Sequence, residues 1–178
     1  MWNYQEILFE LKPSLVLEFG THHGGSTLYF AELLKLISPD FRVLTVDIDQ
    51  SIVDSRVRRH DHIELLESST TSSLVARRFV ELRRLYPGKA FCILDSDHRK
   101  DYVLAELTVL RPLTASGDYV VVEDGNINGH PVLPDWGAGP YEALKEYRDR
   151  YPGDYLLDTA REEKFGFTFA PAGFLIRR

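Results

Sequence analysis

Five short apolar runs, each followed by a segment of different texture, constrain this chain more than any other feature. They are Leu15 to Phe19, Val43 to Asp47, Ile63 to Leu66, Ala90 to Leu94 and Tyr119 to Val122. Their Val, Ile, Leu and Phe content is that of strands covered on both faces. Between them, apolar residues recur at helical spacing. Ser26 to Ile37 carries Leu28, Ala31, Leu34 and Leu36 or Ile37; Thr70 to Leu85 carries Val75, Phe79 and Leu82; Asp101 to Leu110 carries Val103, Leu107 and Leu110. Strand and helix in alternation predict an α/β fold, a mostly parallel sheet with helices on both faces. Arg77, Arg78, Arg83 and Arg84 fall largely off the second apolar stripe and read as a solvated helix face.

After the fifth run the texture changes. Gly125 to Gly139 holds Gly, Pro, Asn, His130 and Trp136 without a period, and loops of that length inside compact domains are usually functional. Pro140 suits the first position of a helix running to about Arg150, with Tyr141, Leu144 and Tyr147 or Tyr151 inward. Tyr155 to Leu157, Phe165 to Phe169 and Gly173 to Ile176 then read as closing strands, a hairpin at the sheet edge. With 178 residues and no repeats or linkers, the chain reads as a single domain over 1–178.

Composition removes several classes of function. An apolar content of 44% with 27% charged residues is too apolar for disorder. A net charge of −6 leaves no broad basic surface, so no nucleic acid is expected. Cys92, the one cysteine, lies in an apolar run and cannot form an internal disulfide. No run approaches the roughly 18 apolar residues of a membrane span. Met1-Trp2-Asn3-Tyr4-Gln5-Glu6 lacks the basic region of a signal peptide. No membrane partner and a cytoplasmic location are expected, and edge strands with exposed aromatics near the C-terminus are compatible with a homodimer.

Ligands of open parallel sheets bind beyond the carboxyl ends of the strands, and the residues there are acidic. Strand one ends in Glu18-Phe19-Gly20-Thr21-His22-His23-Gly24-Gly25-Ser26, where glycines let the backbone approach a ligand and the following helix offers free amides to an anionic group. The spacing is not that of a dinucleotide-binding turn, and a tight turn without a ligand is the plain alternative. Asp47 ends strand two, where an acidic residue accepts hydrogen bonds from ribose hydroxyls or else caps the next helix. Asp95 and the pair Glu123-Asp124 end what should be neighbouring strands, about 4.8 Å apart. Like charges that close favour a hard cation with oxygen ligands, Mg²⁺ or Ca²⁺, unless one of them merely caps a helix. Both Glu123 and Asp124 can face one ion only if the strand breaks, which Gly125 permits. His98, three residues after Asp95, is a candidate general base.

The motifs Glu18 to Ser26, Leu94-Asp95-Ser96-Asp97-His98, Gly117 to Asp124 and Gly139-Pro140 together resemble the cephalosporin hydroxylase and rhamnosyl O-methyltransferase family over nearly the whole chain. The resemblance implies a Rossmann-like class I methyltransferase fold with a seven-stranded sheet whose last strand is antiparallel. It further implies an S-adenosylmethionine- and Mg²⁺-dependent O-methyltransferase acting on a small-molecule hydroxyl, of a sugar or a natural product. Carried over, Glu18 and the turn Gly20, Thr21, Gly24, Gly25 and Ser26 would hold the methionine part of the cofactor. Asp47 would hold the ribose, and Ser68 or Ser69 would lie near the adenine. Asp95, Glu123 and Asp124 would bind the metal, with Asp97 a rival for the first position. As in the similar macrolide sugar O-methyltransferases, His98 would be the base. Substrate recognition would fall to Gly125 to Gly139, with Trp136 a sugar-stacking face. Three other readings are a cofactor-binding partner without turnover, an oxygenase and a nicotinamide dehydrogenase. An oxygenase would want two histidines and one carboxylate around iron, and a dehydrogenase is disfavoured by the glycine spacing.

Overall fold

The computed structural model describes residues 1 to 178. Its strands form one seven-stranded sheet in the order β3-β2-β1-β4-β5-β7-β6, where β1 is Leu15–Phe19, β2 Arg42–Asp47, β3 Ile63–Glu67, β4 Ala90–Leu94, β5 Tyr119–Val122, β6 Tyr155–Leu157 and β7 Phe174–Arg177. The five apolar runs are thus all strands, four of them running mostly buried. The exception, β3, is half-buried, as an edge strand should be. Strands β1, β2 and β3 pair in parallel, whereas β7 runs antiparallel to both β5 and β6. No helix is long and apolar enough to cross a membrane. The chain divides into two compact units, Met1–Cys92 and Ile93–Arg178.

In the first unit, helix α1 (Trp2–Leu11) precedes β1. Its signal is Tyr4, Ile7 and Leu8, apolar at i, i+3 and i+4 and all buried, and it adds a helix to those expected between the apolar runs. Lys12 ends it in the left-handed conformation, its N–H donating to the Leu8 carbonyl at 2.9 Å, before Pro13. Tyr4 meets Phe30 and Phe91 edge to face, with ring centroids 5.6 to 6.1 Å apart within this trio. Helix α2 (Gly25–Ile37) buries Thr27, Phe30, Ala31 and Leu34. Of Leu36 and Ile37, the alternatives for the end of its inner stripe, Leu36 is exposed and Ile37 half-buried. After the short α3 (Ser55–Arg58), helix α4 (Ser73–Leu85) buries Val75, Phe79 and Leu82 as expected, with Ser72 capping its N-terminus. Arg78 of α4 is more than a solvated charge. It grips Glu64 of β3 through two nitrogens at 2.5 and 2.7 Å, a fork-on-carboxylate pair.

In the second unit, α5 (Lys100–Leu110) carries its expected stripe and also buries Leu104 and Glu106, while α6 (Pro140–Arg150) buries Leu144 and Tyr147 as expected together with Ala143, leaving Tyr141, expected inward, only half-buried. The expected strand over Phe165 to Phe169 does not form. A short helix, α7 (Thr159–Glu163), ends just before it, and Gly166 sits at φ +69°, a left-handed conformation that no extended run accommodates. Phe165, Phe167 and Phe169 are exposed, and the partner of β6 is β7. Alternating phenylalanines imitate a half-buried strand, but β7 already fills the place between β5 and β6.

Asp154 knits this unit together. It is buried and accepts hydrogen bonds from Tyr147 Oη and Arg111 Nε, both at 2.8 Å, and pairs with Arg177 Nη1 at 3.0 Å, linking α6, the end of α5 and β7. Burial would raise its pKa, but Tyr147 and the two arginines outweigh that and hold the carboxyl below its ordinary range. Asp154→Ala strands two guanidinium groups beside a buried phenol and is expected to cost about 3 kcal/mol. Urea unfolding measures this, and a loss below about 1 kcal/mol would show that the network is incidental.

Candidate active site

The strand ends of each unit gather polar side chains into one cluster. In the first unit the lowest layer is Glu18, whose carboxyl is fully buried beneath the glycine turn. It accepts hydrogen bonds from Ser26 Oγ at 2.5 Å, from Thr45 Oγ1 at 2.7 Å and from Thr27 Oγ1. Burial pushes its pKa up, against the pull of those three hydroxyls. The Thr45 hydroxyl proton is spent on Glu18, so Thr21 Oγ1, 2.7 Å away, donates to Thr45, and Gln50 Nε2 donates to Thr21 at 3.2 Å. A directional chain therefore runs from the loop after β2, under the turn, to Glu18 and the first turn of α2. Thr27, Thr45 and Gln50 were not singled out from the sequence. A buried threonine inside the apolar run Arg42-Val43-Leu44-Thr45-Val46 was the available signal, because such a hydroxyl must find a partner.

Above this layer, Asp47 Oδ2 accepts from the backbone N–H of Thr21 and of His22, each at 2.9 Å, so the end of β2 holds the turn in shape. The Asp47 carbonyl accepts from Ser68 N at 2.8 Å, drawing the loop after β3 to the same place. In that loop Ser69 Oγ lies 3.1 Å from Thr71 Oγ1. His22 and His23 are exposed, their rings 4.2 Å apart edge to face.

The two glycines before α2 differ. Gly24 caps the helix at φ +81°, and a Cβ there would lie 2.7 Å from Val57 Cγ2. Gly20 is also left-handed, at φ +96°. A Cβ on Gly25 would meet nothing within 4 Å. No packing within the protein requires a bare backbone at Gly25, whereas a ligand approaching the helix amides would.

In the second unit, Asp95, His98 and Asp124 each place a ligand atom within 4.8 Å of the others. Strand β5 stops at Val122, and Asp124, in the left-handed region at φ +53°, brings its Oδ2 to 3.2 Å from His98 Nε2. The expected break after β5 is present, with the left-handed residue one place before Gly125. Glu123 lies outside this three-residue group. Its backbone N–H donates to the Leu94 carbonyl at 3.0 Å, and burial, aided by the neighbouring charge of Asp124, pushes its carboxyl up to about 7. Asp97, the rival ligand, also lies outside the group. Its carboxylate takes the Arg99 guanidinium and the Arg99 N–H, and Arg99 holds its pKa down. Two carboxylates and one imidazole of intermediate exposure make an oxygen-rich donor set that suits a hard divalent cation with room for other ligands. The two-histidine set of a non-haem iron centre is not what converges here.

Glu142, on the first turn of α6, was not identified from the sequence. Its Oε2 accepts from Gly139 N at 2.7 Å, and its Oε1 takes Asn128 Nδ2 at 3.0 Å and His130 Nε2 at 2.8 Å. Burial would raise its pKa, but those donors win and hold it at about 2. A depressed carboxylate contributes stability in full above its unfolded pKa and loses it as the pH falls. The charge of Glu142 is therefore expected to stabilise the fold by about 2 kcal/mol at neutral pH. That contribution should fade from about pH 4.5 downward towards 2. Comparing denaturant unfolding of the native chain and Glu142→Gln across this window tests it, and parallel curves would contradict it. Gly24→Ala, by strain and by its clash with Val57, is expected to cost about 1–3 kcal/mol, and Gly25→Ala less than about 0.5 kcal/mol, measured in the same way.

Known proteins share this arrangement of elements. A family model described as rhamnosyl O-methyltransferase/CmcI matches residues 1–178. The rhamnosyl O-methyltransferase of Mycobacterium tuberculosis (strain ATCC 25618 / H37Rv) is 57% identical over 177 residues, which are 99% of this chain and 72% of that protein. That of Mycobacterium leprae (strain TN) is 56% identical over 178 residues, covering 100% and 77%. Among solved structures, CmcI-D160 with Mg and S-adenosylmethionine superposes with a TM-score of 0.75 at 22% identity, over 99% of this chain and 70% of that one. MycE methyltransferase from the mycinamycin biosynthetic pathway, in complex with Mg, S-adenosylhomocysteine and mycinamycin VI, does so with 0.59 at 20% identity, over 86% and 44%. This chain, with its seven-stranded sheet and acidic strand ends, belongs to the rhamnosyl O-methyltransferase/CmcI family.

Proposed function

We propose that this chain is an S-adenosylmethionine-dependent O-methyltransferase that uses Mg²⁺ and acts on a hydroxyl of a sugar. The observation that carries the reading is the convergence of Asp95, His98 and Asp124 at the ends of β4 and β5, in a chain more than half identical to rhamnosyl O-methyltransferases. The CmcI and MycE structures, with Mg and S-adenosylmethionine or S-adenosylhomocysteine, support the choice of cofactor and metal. A small-molecule hydroxyl is the acceptor; no nucleic acid or membrane partner forms part of this reading.

The side chains divide the work. Gly20, Thr21, Gly24, Gly25 and Ser26 offer amides and bare backbone to the amino-acid part of the cofactor. Glu18 acts from beneath, fixing Ser26 and Thr27. Asp47, which holds the turn through two amides, would hold the ribose, with Ser69 near the base. Asp95 and Asp124 hold the cation, Glu123 backing them from the adjacent position. Bound there, S-adenosylmethionine would supply an electrophilic methyl group and the divalent cation would lower the pKa of the attacked hydroxyl. His98 takes the hydroxyl proton, and Asp124, whose Oδ2 lies 3.2 Å from Nε2, stabilises the imidazolium that results.

Calorimetric titration of S-adenosylhomocysteine with Mg²⁺ and with EDTA tests the cofactor half. Micromolar binding, weakened at least about 10-fold by Asp47→Ala and by Gly25→Ala, is expected. Methyl transfer to methyl rhamnoside tests the rest. His98→Ala should lower turnover by about 10²-fold or more while S-adenosylhomocysteine affinity stays within about 2-fold. Asp124→Ala should weaken Mn²⁺ binding, read by electron paramagnetic resonance, by at least about 10-fold. Failure of the wild-type protein to bind S-adenosylhomocysteine in either condition would overturn the reading.

A further inference from the structure

The loop from Gly125 to Gly139 leaves the metal-binding group at one end and returns to it at the other. It starts beside Asp124. At its far end the Ala138 carbonyl accepts from Lys100 N at 3.0 Å, and Gly139 packs so close to the His98 carbonyl that an added Cβ would lie 3.3 Å from it. Yet the loop has little core of its own. Ile127 is buried, but residues 131 to 138 are all exposed, Val132, Leu133 and Trp136 among them. Apolar burial therefore cannot fix its shape, and polar contacts must.

Those contacts converge on Glu142. Capping α6 requires only the bond from Gly139 N to Oε2. Oε1 does something a cap does not need, taking Asn128 and His130, 14 and 12 residues earlier in the chain. Asn128, left-handed at φ +59°, also accepts from Gly137 N at 3.1 Å, so its amide ties the two limbs of the loop together before handing them to Glu142. The His130 ring stacks on Tyr141, with centroids 3.9 Å apart. One carboxylate thus holds the outgoing limb, the returning limb and the helix start. Resting on the reading of this chain as a sugar O-methyltransferase, we infer that Glu142 is a positioning residue that clamps the 125–139 loop into its acceptor-binding shape beside Asp95, His98 and Asp124.

Chymotrypsin cleavage after the exposed Trp136, which Gly137 follows, reports the clamp without any turnover, and steady-state kinetics with methyl rhamnoside report its use. Glu142→Ala removes every contact. Glu142→Gln keeps an oxygen for the helix cap but places an amide donor against the loop, and so guards against a general loss of fold. Both variants are expected to be cleaved about 10-fold faster in the loop and to raise the acceptor KM about 10-fold. Their kcat should stay within about 2-fold, and S-adenosylhomocysteine affinity by calorimetry should be unchanged. Unchanged cleavage in both variants would overturn the clamp. Faster cleavage with an unchanged KM would overturn its role in acceptor binding. If the wild-type chain binds S-adenosylhomocysteine but transfers no methyl group to methyl rhamnoside, the acceptor role falls with the functional reading, and the cleavage rates still decide the clamp.

Discussion

A carboxylate buried at the end of β1 governs the first unit. Glu18 would be costly there alone, since desolvation disfavours its charge, and three hydroxyls from α2 and β2 supply the compensation. The geometry of that compensation has consequences outward. Ser26 and Thr27 must present their side chains downward, which sets the first turn of α2. Thr45 must face Thr21, which seats the glycine turn, and Gln50 extends the chain to the loop after β2. Asp47 then clamps the same turn from above through two backbone amides. With its polar groups satisfied from inside, the turn can leave Gly25 open to an approaching ligand.

The second unit solves a different problem, that of crowded negative charge. Asp95, Asp97, Glu123 and Asp124 all lie within a few residues of two strand ends. The backbone sorts them. Asp97 is drawn into its own turn by Arg99, and Asp124 is swung by its left-handed conformation towards His98. Glu123 is left half-buried, with a pKa raised to about 7. What remains are two carboxylates beside an imidazole, and the repulsion between the two carboxylates is what a divalent cation relieves. Glu142 shows the reverse case: a carboxylate surrounded by donors, held ionised far below its ordinary range and able to organise a loop that has almost no core.

Much of this was legible beforehand. The apolar runs and helical stripes mark the strands and the long helices because burial on a sheet imposes those periods. The acidic residues after Leu17, Val46, Leu94 and Val122 stand out because charge at the end of a buried run demands a reason. Phe165 to Phe169 misled, since alternation specifies which faces differ but not whether a neighbouring strand is free to pair. Leu36 and Ile37 stayed alternatives for a related reason: two stripes one residue apart look alike until a partner is chosen.

The amino-acid sequence by itself determined the architecture, the strand ends where chemistry could sit, and the pool of side chains available there. Local period and composition carry that information. Only the tertiary structure decided which members of the pool meet. Whether Asp97 or Asp124 faces His98 depends on backbone angles at a strand terminus, and Thr45 reaches Glu18 only through the register of β1 against β2. Glu142 joins Asn128 and His130 only because the intervening loop folds back on itself. Contacts between residues distant along the chain, and side-chain directions set by single φ values, leave no period in the sequence to be read.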